Sequence, residues 1–307
     1  IDLRGNPGGI LEEAFAMSNL FLPKGKELLS VRGRGEYQKF VAEREPLSSD
    51  IPLVVLIDGG SASASEIVAG ALQDYDRALV LGTTSYGKGL VQSVYNLDGG
   101  YALKITTGKW YTPSGRSIQK ERKFNGDGQF VEVASDSIES DSARRSRPVF
   151  KSASGRTVYG GGAITPDLMV SADTISSKEQ ALQRLMAPHF TKFFNAVGML
   201  AQDQKGKVKV DFAVDAAWRD DLYRRLTADT VKIDKAVYDA GASWVDRYIE
   251  ARVARVAFGD TTAKRHELKD DNQLRKAMEL LRKSATQKEV FAAAAADAST
   301  GRPALAK

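Results

Sequence analysis

Three serines stand at alternate positions in GGSASASEIVAGALQD, residues 59–74, just before a run with helical spacing. Small hydroxyl residues at such a point have two uses. Ser63 and Glu66 fit a capping box, in which a serine and a glutamate three positions later satisfy free N–H groups at a helix start. A serine displayed at a helix N-terminus is also suited to nucleophilic attack, provided that a base takes its proton.

The base is sought first among the histidines, because serine nucleophiles are most often paired with imidazole. The chain has two, His189 and His266, and both fall in a helical region far along the sequence from the serines. Packing or capping is the more frequent role of a histidine at such positions. There is no cysteine, which excludes disulfides, thiolate nucleophiles and cysteine-ligated zinc. A lysine is the remaining candidate base.

Lys88, in TTSYGKGLVQSVY, has the surroundings that a lysine base needs. The ordinary pKa of lysine, about 10.4, falls when the amine is buried among apolar groups. Gly87 and Gly89 allow close backbone packing, and neighbouring apolar side chains offer cover. Gln92 points to the same side as Lys88 in an extended segment, where a neutral amide orients the amine without holding it protonated.

Ser63 is better aimed than the serines on either side of it, since one precedes the cap position and the other falls inside the first helical turn. The Ala64 N–H and the positive end of the helix dipole would stabilise an oxyanion formed beside Ser63. The opening turn RGNPGG offers a second N–H donor. We expect Gly9, in preference to Gly8, to supply it, because glycine permits the unusual dihedrals of an anion-binding turn.

The elements that position these residues follow an α/β pattern as far as residue 175. IPLVVLI, residues 51–57, is typical of a strand covered on both faces. The pattern also predicts a hairpin of residues 90–97 and 101–111, joined by Asp-Gly-Gly. Beyond that point the apolar residues recur with a period near 3.6. We therefore predict an α/β core over 1–175 and a separate helical domain over 176–307.

Five segments together resemble the carboxyl-terminal processing peptidases, also called tail-specific proteases. They are DLRGNPGG, GSASASEIVAGALQD, TSYGKGLVQ, KITTGKWYTPSGRSIQ and YGGGAITPD, in the order and spacing of that family. The resemblance implies a crotonase-like or Clp-protease-like core and a Ser/Lys dyad. In that reading Ser63 is the nucleophile, Lys88 the general base and Gln92 the residue that orients the lysine. Ala64 and a glycine of NPGG then form the oxyanion hole.

The resemblance also implies partners. Protein or peptide substrates would bind in extended form, for which we expect the edge of the strand 103–111, and no cofactor or metal is needed. Members usually carry an upstream PDZ domain and are exported in bacteria. Because the sequence opens without methionine, we expect a fragment whose PDZ domain precedes Ile1. Helix faces that are not buried within the helical domain are candidates for contacts between subunits of a homo-oligomer.

Two other functions are alternatives to proteolysis. One is a non-catalytic scaffold of the same fold that binds peptides, with the helical domain as its interface; an intact Ser63, Lys88 and Gln92 argues against it. The other is acyl-CoA chemistry, for which no acid pair or nucleotide-binding feature is present in the sequence. Nucleic-acid binding is not expected, because the net charge is only +5 and the basic residues are dispersed among acids.

Overall fold

The computed structural model describes residues 1–35, 37–120, 123–124, 130–131, 147–173, 175–228 and 231–299. Its strands are β1 (Glu27–Gly33), β2 (Tyr37–Val41), β3 (Val54–Ile57), β4 (Leu79–Gly82), β5 (Leu90–Asn96), β6 (Ala102–Tyr111), β7 (Lys123–Phe124), β8 (Phe130–Val131), β9 (Val149–Lys151), β10 (Thr157–Tyr159) and β11 (Leu168–Met169). Its α-helices are α1 (Leu11–Asn19), α2 (Ala64–Asp74), α3 (Ser177–Met186), α4 (Phe190–Gln204), α5 (Ala216–Ala228), α6 (Lys235–Ala240), α7 (Ala242–Phe258), α8 (Asp260–Glu267), α9 (Asn272–Arg282) and α10 (Gln287–Ser299). The structure confirms a mixed α/β region followed by helices.

A parallel sheet in the order β11-β4-β3 lies directly behind the serine-rich segment. Residues 1–3 extend it, since Asp2 forms a parallel bridge with Leu56. All four residues of β3 are buried, as the continuous apolar run predicts. Alternate side chains of β3 lie in two separate hydrophobic clusters. Val55 and Ile57 pack with residues of α2, whereas Val54 and Leu56 lie on the opposite face of the sheet.

The second face of this sheet is covered by the last two helices of the described chain. Ala277 and Leu280 of α9, with Val290 and Ala294 of α10, are buried in the same cluster as Val54 and other residues of β3, β4 and β11. The chain accordingly divides into one compact unit that joins Ile1–Ala172 with the segment from Asn272, and a second unit at Asp173–Asp271. This differs from the predicted helical domain 176–307, because α9 and α10 pack on the parallel sheet instead.

An antiparallel sheet in the order β2-β1-β6-β5 completes the first unit. The predicted hairpin is present as β5 and β6, with a register shift between Val91 and Gln92. Gly108–Tyr111 of β6 also pairs with β1, so this part of β6 is an inner strand. The expected peptide-binding edge at 103–111 is therefore wrong for residues 108–111, which pair with β1 on one side. Residues 103–107 pair with β5 on one side and are not part of the β1 pairing, and β5 is the outer strand of the sheet.

The second unit consists of α3–α8 around an aromatic core. The Phe193 ring stacks on Trp244 with centroids 4.9 Å apart, and Tyr248 packs edge-on against both rings. Val253 is fully buried in the same cluster, so the helices of this unit share one core. None of the helices in the described ranges is long and apolar enough to cross a lipid bilayer.

Candidate active site

Ser63 adopts a strained backbone conformation at the start of α2. Its dihedrals, φ 58° and ψ −119°, are those of the first central residue of a type II′ turn, a position normally held by glycine. A non-glycine residue kept in such a region costs on the order of 1–3 kcal/mol and persists only where its surroundings enforce it. A sharp strand-to-helix turn of this kind is how nucleophilic serines are displayed in hydrolases.

A second capping box in the same chain provides the comparison. Ser176, before α3, has ordinary extended dihedrals of φ −61° and ψ 158°, and its hydroxyl accepts a hydrogen bond from the Glu179 N–H at 3.2 Å. At Ser63 the Glu66 N–H bonds to the main-chain oxygen at 2.9 Å. Capping needs only the relaxed geometry of Ser176. Helix capping therefore does not explain the strained backbone of Ser63.

The opening turn packs directly against this serine. A Cβ built on Gly8 would lie 2.5 Å from the Ala62 oxygen, 2.6 Å from the Ala64 nitrogen and 3.0 Å from the Ser63 Cβ. Gly8 also has a φ of +82°. Only glycine fits both the conformation and the space, so the NPGG turn and the N-terminus of α2 form one structure.

The serines on either side of Ser63 hold this structure together. Ser61 is buried and its hydroxyl donates to the Leu3 carbonyl at 2.7 Å. The Ser65 hydroxyl donates to the Asn6 carbonyl at 3.0 Å, which also accepts from the Ala62 N–H. These two hydroxyls bind residues 3–6 to the loop before α2 and to its first turn, so their role is structural and Ser63 is left as the candidate nucleophile.

The N–H groups of Ala64 and Gly9 are the candidate oxyanion donors. Ala64 is the first residue of α2, so its N–H has no intrahelical partner. Neither the Ala64 N–H nor the Gly9 N–H has an acceptor among the described residues. The Gly8 N–H, in contrast, donates to Asn6 Oδ1 at 2.9 Å. Of the two glycines, Gly9 is thus the one with a free donor.

Lys88, Leu90 and Gln92 line one cleft of about 530 Å³, together with Pro7, Gly59, Gly60, Ala62, Tyr86 and Gln119. The opening turn and the residue before Ser63 thus share this cleft with the lysine. Lys88 and Gln92 are exposed, so the burial that the sequence argument asks of Lys88 is not present. Among the described residues, no carboxylate pairs with the Lys88 amine, and no hydrogen bond joins it to Gln92 or Ser63.

Glu66 makes contacts that the sequence pattern did not reveal. Its fully buried carboxylate accepts from the Ser63 N–H and the Lys88 N–H through Oε2, both at 2.9 Å. Oε1 accepts from the Gly87 N–H at 2.7 Å and from the Ser85 hydroxyl at 2.5 Å. Burial raises the pKa of Glu66, while the hydrogen bonds from these four groups lower it. The capping box predicted only the contact with Ser63.

Gln119 was also missed by the sequence reading, although it ends the GRSIQ segment. Its Oε1 accepts from the Gly89 N–H at 2.9 Å, and its Nε2 donates to the Lys120 carbonyl at 2.7 Å. A Cβ on Gly89 would lie 2.7 Å from the Gln119 nitrogen. The two glycines around Lys88 are therefore required by close packing, as expected.

The histidines lie elsewhere. His266 is buried in the second unit between the Glu250 carboxylate and the Val210 carbonyl, and it stacks on Phe212. His189 ends a short 3-10 helix in that same unit. Over the described ranges, no group of three or more His, Asp or Glu side chains is placed to hold a metal ion.

The first part of the chain is similar to known proteases. Residues 1–127 match the model of peptidase family S41. A carboxy-terminal-processing protease of Bartonella bacilliformis is 53% identical over 121 residues, covering 39% of this chain and 28% of that protein. Carboxy-terminal processing protease CtpA of Bacillus subtilis is 43% identical over 122 residues, covering 39% and 26%. The solved photosystem II D1 C-terminal processing protease is 34% identical, covers 38% and 31%, and has a TM-score of 0.37. The matches span less than a third of each relative.

Proposed function

We propose, from the match of residues 1–127 to the model of peptidase family S41, that the protein is a serine endopeptidase that cleaves protein substrates near their carboxyl termini. The observation that carries the proposal is the strained Ser63, displayed at the start of α2 beside two unoccupied N–H groups. Strain at one serine, next to an arrangement that fits an oxyanion, suits acyl transfer better than capping.

In the proposed mechanism, Lys88 in its neutral form takes the proton of the Ser63 hydroxyl as Oγ attacks the scissile carbonyl carbon. The N–H groups of Ala64 and Gly9 hold the tetrahedral oxyanion. The carbon–nitrogen bond then breaks, and the Lys88 ammonium gives its proton to the leaving amine. A water molecule, activated by the neutral lysine, hydrolyses the ester and returns the proton to Ser63.

Because Lys88 is exposed, the bound substrate would have to supply the apolar cover that this mechanism requires. A peptide in the cleft would cover the amine, with Leu90 and Tyr86 as neighbouring walls, and would exclude water from it. Gln92, on the same cleft, would then orient the amine.

The peptide would run in extended form along β5, the outer strand, which begins two residues after Lys88. Pairing of a peptide with a free strand edge gives main-chain hydrogen bonds independent of sequence, which suits a protease that reads a chain end. Export in a bacterium, a PDZ domain in the full-length protein and self-association through the helical unit belong to the same proposal. The family resemblance alone supports them.

The alternative is a non-catalytic scaffold that binds peptides in the same cleft. The test uses the full-length protein with Ser63→Ala, and with Ser65→Ala as a control that removes a neighbouring hydroxyl of structural role. Each is incubated with an unfolded protein that ends in apolar residues, and fragments are read by mass spectrometry. We expect cleavage by the wild type and by Ser65→Ala and none by Ser63→Ala. Equal cleavage by Ser63→Ala would exclude the nucleophile, and peptide binding without cleavage by any form would favour the scaffold.

A further inference from the structure

We propose that Glu66 is a positioning residue that holds the main chains of Ser63 and Lys88 in one fixed frame; this rests on the proposed function. Ser63 and Lys88 come from different segments, 25 positions apart in the sequence. One atom, Glu66 Oε2, accepts from the N–H groups of both at 2.9 Å. Because both N–H groups bind the same oxygen, neither main chain can move relative to the other without loss of one of these hydrogen bonds.

The four donors around Glu66 require a carboxylate. Three are main-chain N–H groups and the fourth is the Ser85 hydroxyl, which itself accepts from the Ile164 N–H at 2.7 Å. An ionised carboxylate only accepts, whereas an amide presents two hydrogens on one side. In Glu66→Gln, the amide nitrogen would face either the Ser63 and Lys88 N–H groups or the Gly87 N–H. The first orientation removes the shared acceptor of Ser63 and Lys88, and the second leaves the Gly87 N–H, next to Lys88, without its acceptor.

Gln119 closes the frame from the other side of the loop. It holds the Gly89 N–H, while Glu66 holds those of Gly87 and Lys88. Three consecutive N–H groups are thus fixed by two side chains. These bonds fix the main chain of Lys88, whereas its exposed side chain can still change rotamer. Glu66 and Gln119 therefore determine the main-chain position from which the amine extends toward Ser63.

Glu179 offers a matched control for the capping part of this role. It occupies the same position of the second capping box, is also buried, and accepts from the Ser176 N–H at 2.7 Å. Its other partner is Arg247, and it lies in the second unit. Glu179→Gln removes a buried carboxylate from a helix start without touching the Lys88 loop.

The experiment compares wild type, Glu66→Gln and Glu179→Gln by amide hydrogen exchange and by steady-state cleavage. In Glu66→Gln, exchange in the peptide that covers 85–89 should accelerate at least about tenfold, because the N–H groups of Gly87 or Lys88 lose their acceptor. The kcat per folded molecule should fall about 10–100-fold with little change of KM, as expected for misplaced reacting groups. Glu179→Gln should leave exchange at 85–89 and kcat unchanged.

Wild-type exchange at 85–89 together with wild-type kcat in folded Glu66→Gln would overturn the proposal. If that variant does not fold, Glu66→Asp is measured instead: it keeps the charge but is one methylene too short to reach both segments, and the same changes are expected. Failure of the proposed function is recognised separately, by a wild-type protein that does not cleave or a Ser63→Ala variant that does. The exchange readout tests the frame in either case.

Discussion

A methyl group at Gly8 should separate the opening turn from the serine. Gly8 has a φ of +82°, and the methyl carbon of Gly8→Ala would lie 2.5 Å from the Ala62 oxygen and 2.6 Å from the Ala64 nitrogen. Both atoms belong to the main chain at the start of α2, so relief requires movement of the turn or of the helix. Either movement displaces the Gly9 and Ala64 N–H groups from each other.

The expected loss of stability has two parts. The left-handed conformation costs an alanine about 1–2 kcal/mol. Forcing a methyl group into close-packed surroundings adds about 1–3 kcal/mol. Gly25 isolates the first part, because it has the same φ of +82° and a Cβ there meets nothing within 4 Å. We expect Gly25→Ala to lose only the first amount and Gly8→Ala to lose about 2–5 kcal/mol.

The assay pairs urea unfolding with cleavage of an unfolded protein substrate under conditions where both variants are folded. Cleavage by Gly8→Ala should fall about a hundredfold, the cost of misplacing groups by about 1 Å, whereas Gly25→Ala should cleave like the wild type. If Gly8→Ala were no less stable than Gly25→Ala and retained full cleavage, the proposed joint structure of the turn and the serine would be refuted.

Two further predictions concern buried charges. Arg116→Met should destabilise the first unit by roughly 3–5 kcal/mol in urea unfolding, because it leaves the buried Asp74 carboxylate without the guanidinium that lies 2.8 Å away; a loss below about 1 kcal/mol would contradict this. Burial raises the pKa of Glu66 above its ordinary 4.5, so the folded state holds that proton more tightly than the unfolded state. The unfolding free energy of the wild type, relative to that of Glu66→Gln, should therefore be greatest in acid. It should fall as the pH rises from the ordinary pKa of glutamate through the raised pKa of Glu66 in the folded state. Urea unfolding at several pH values measures this difference, and a difference that does not change with pH would contradict the prediction.

The sequence predicted those features that depend on local pattern. The continuous apolar run before the serines identified a strand covered on both faces, and Asp-Gly-Gly between two alternating segments identified the hairpin. Ser63 as the first residue before a helix, and the tight packing of Gly87 and Gly89, also followed from residue type and spacing. Each of these depends on neighbours within a few positions.

The remaining features depend on distant parts of the chain. An amphipathic pattern shows that α9 and α10 bury one face, but not that this face packs on β3 and β4 and thus belongs to the first unit. The pairing of β1 with residues 108–111 of β6, which covers part of the predicted peptide edge, likewise joins segments far apart. The capping box accounted for Glu66 in the sequence, and no other feature of the sequence indicated its hydrogen bonds to Gly87 and Lys88.

The central claim is that Ser63 carries the acyl group and Lys88 takes its proton. The most direct measurement is to mix the full-length protein with an unfolded substrate, quench with acid within the first turnover, and map covalent adducts by mass spectrometry. We predict an ester-linked substrate fragment on the peptide that contains Ser63, with a yield that rises with pH in the wild type and is absent from Lys88→Ala. Cleavage that proceeds without this ester, or an adduct on another residue, would contradict the account.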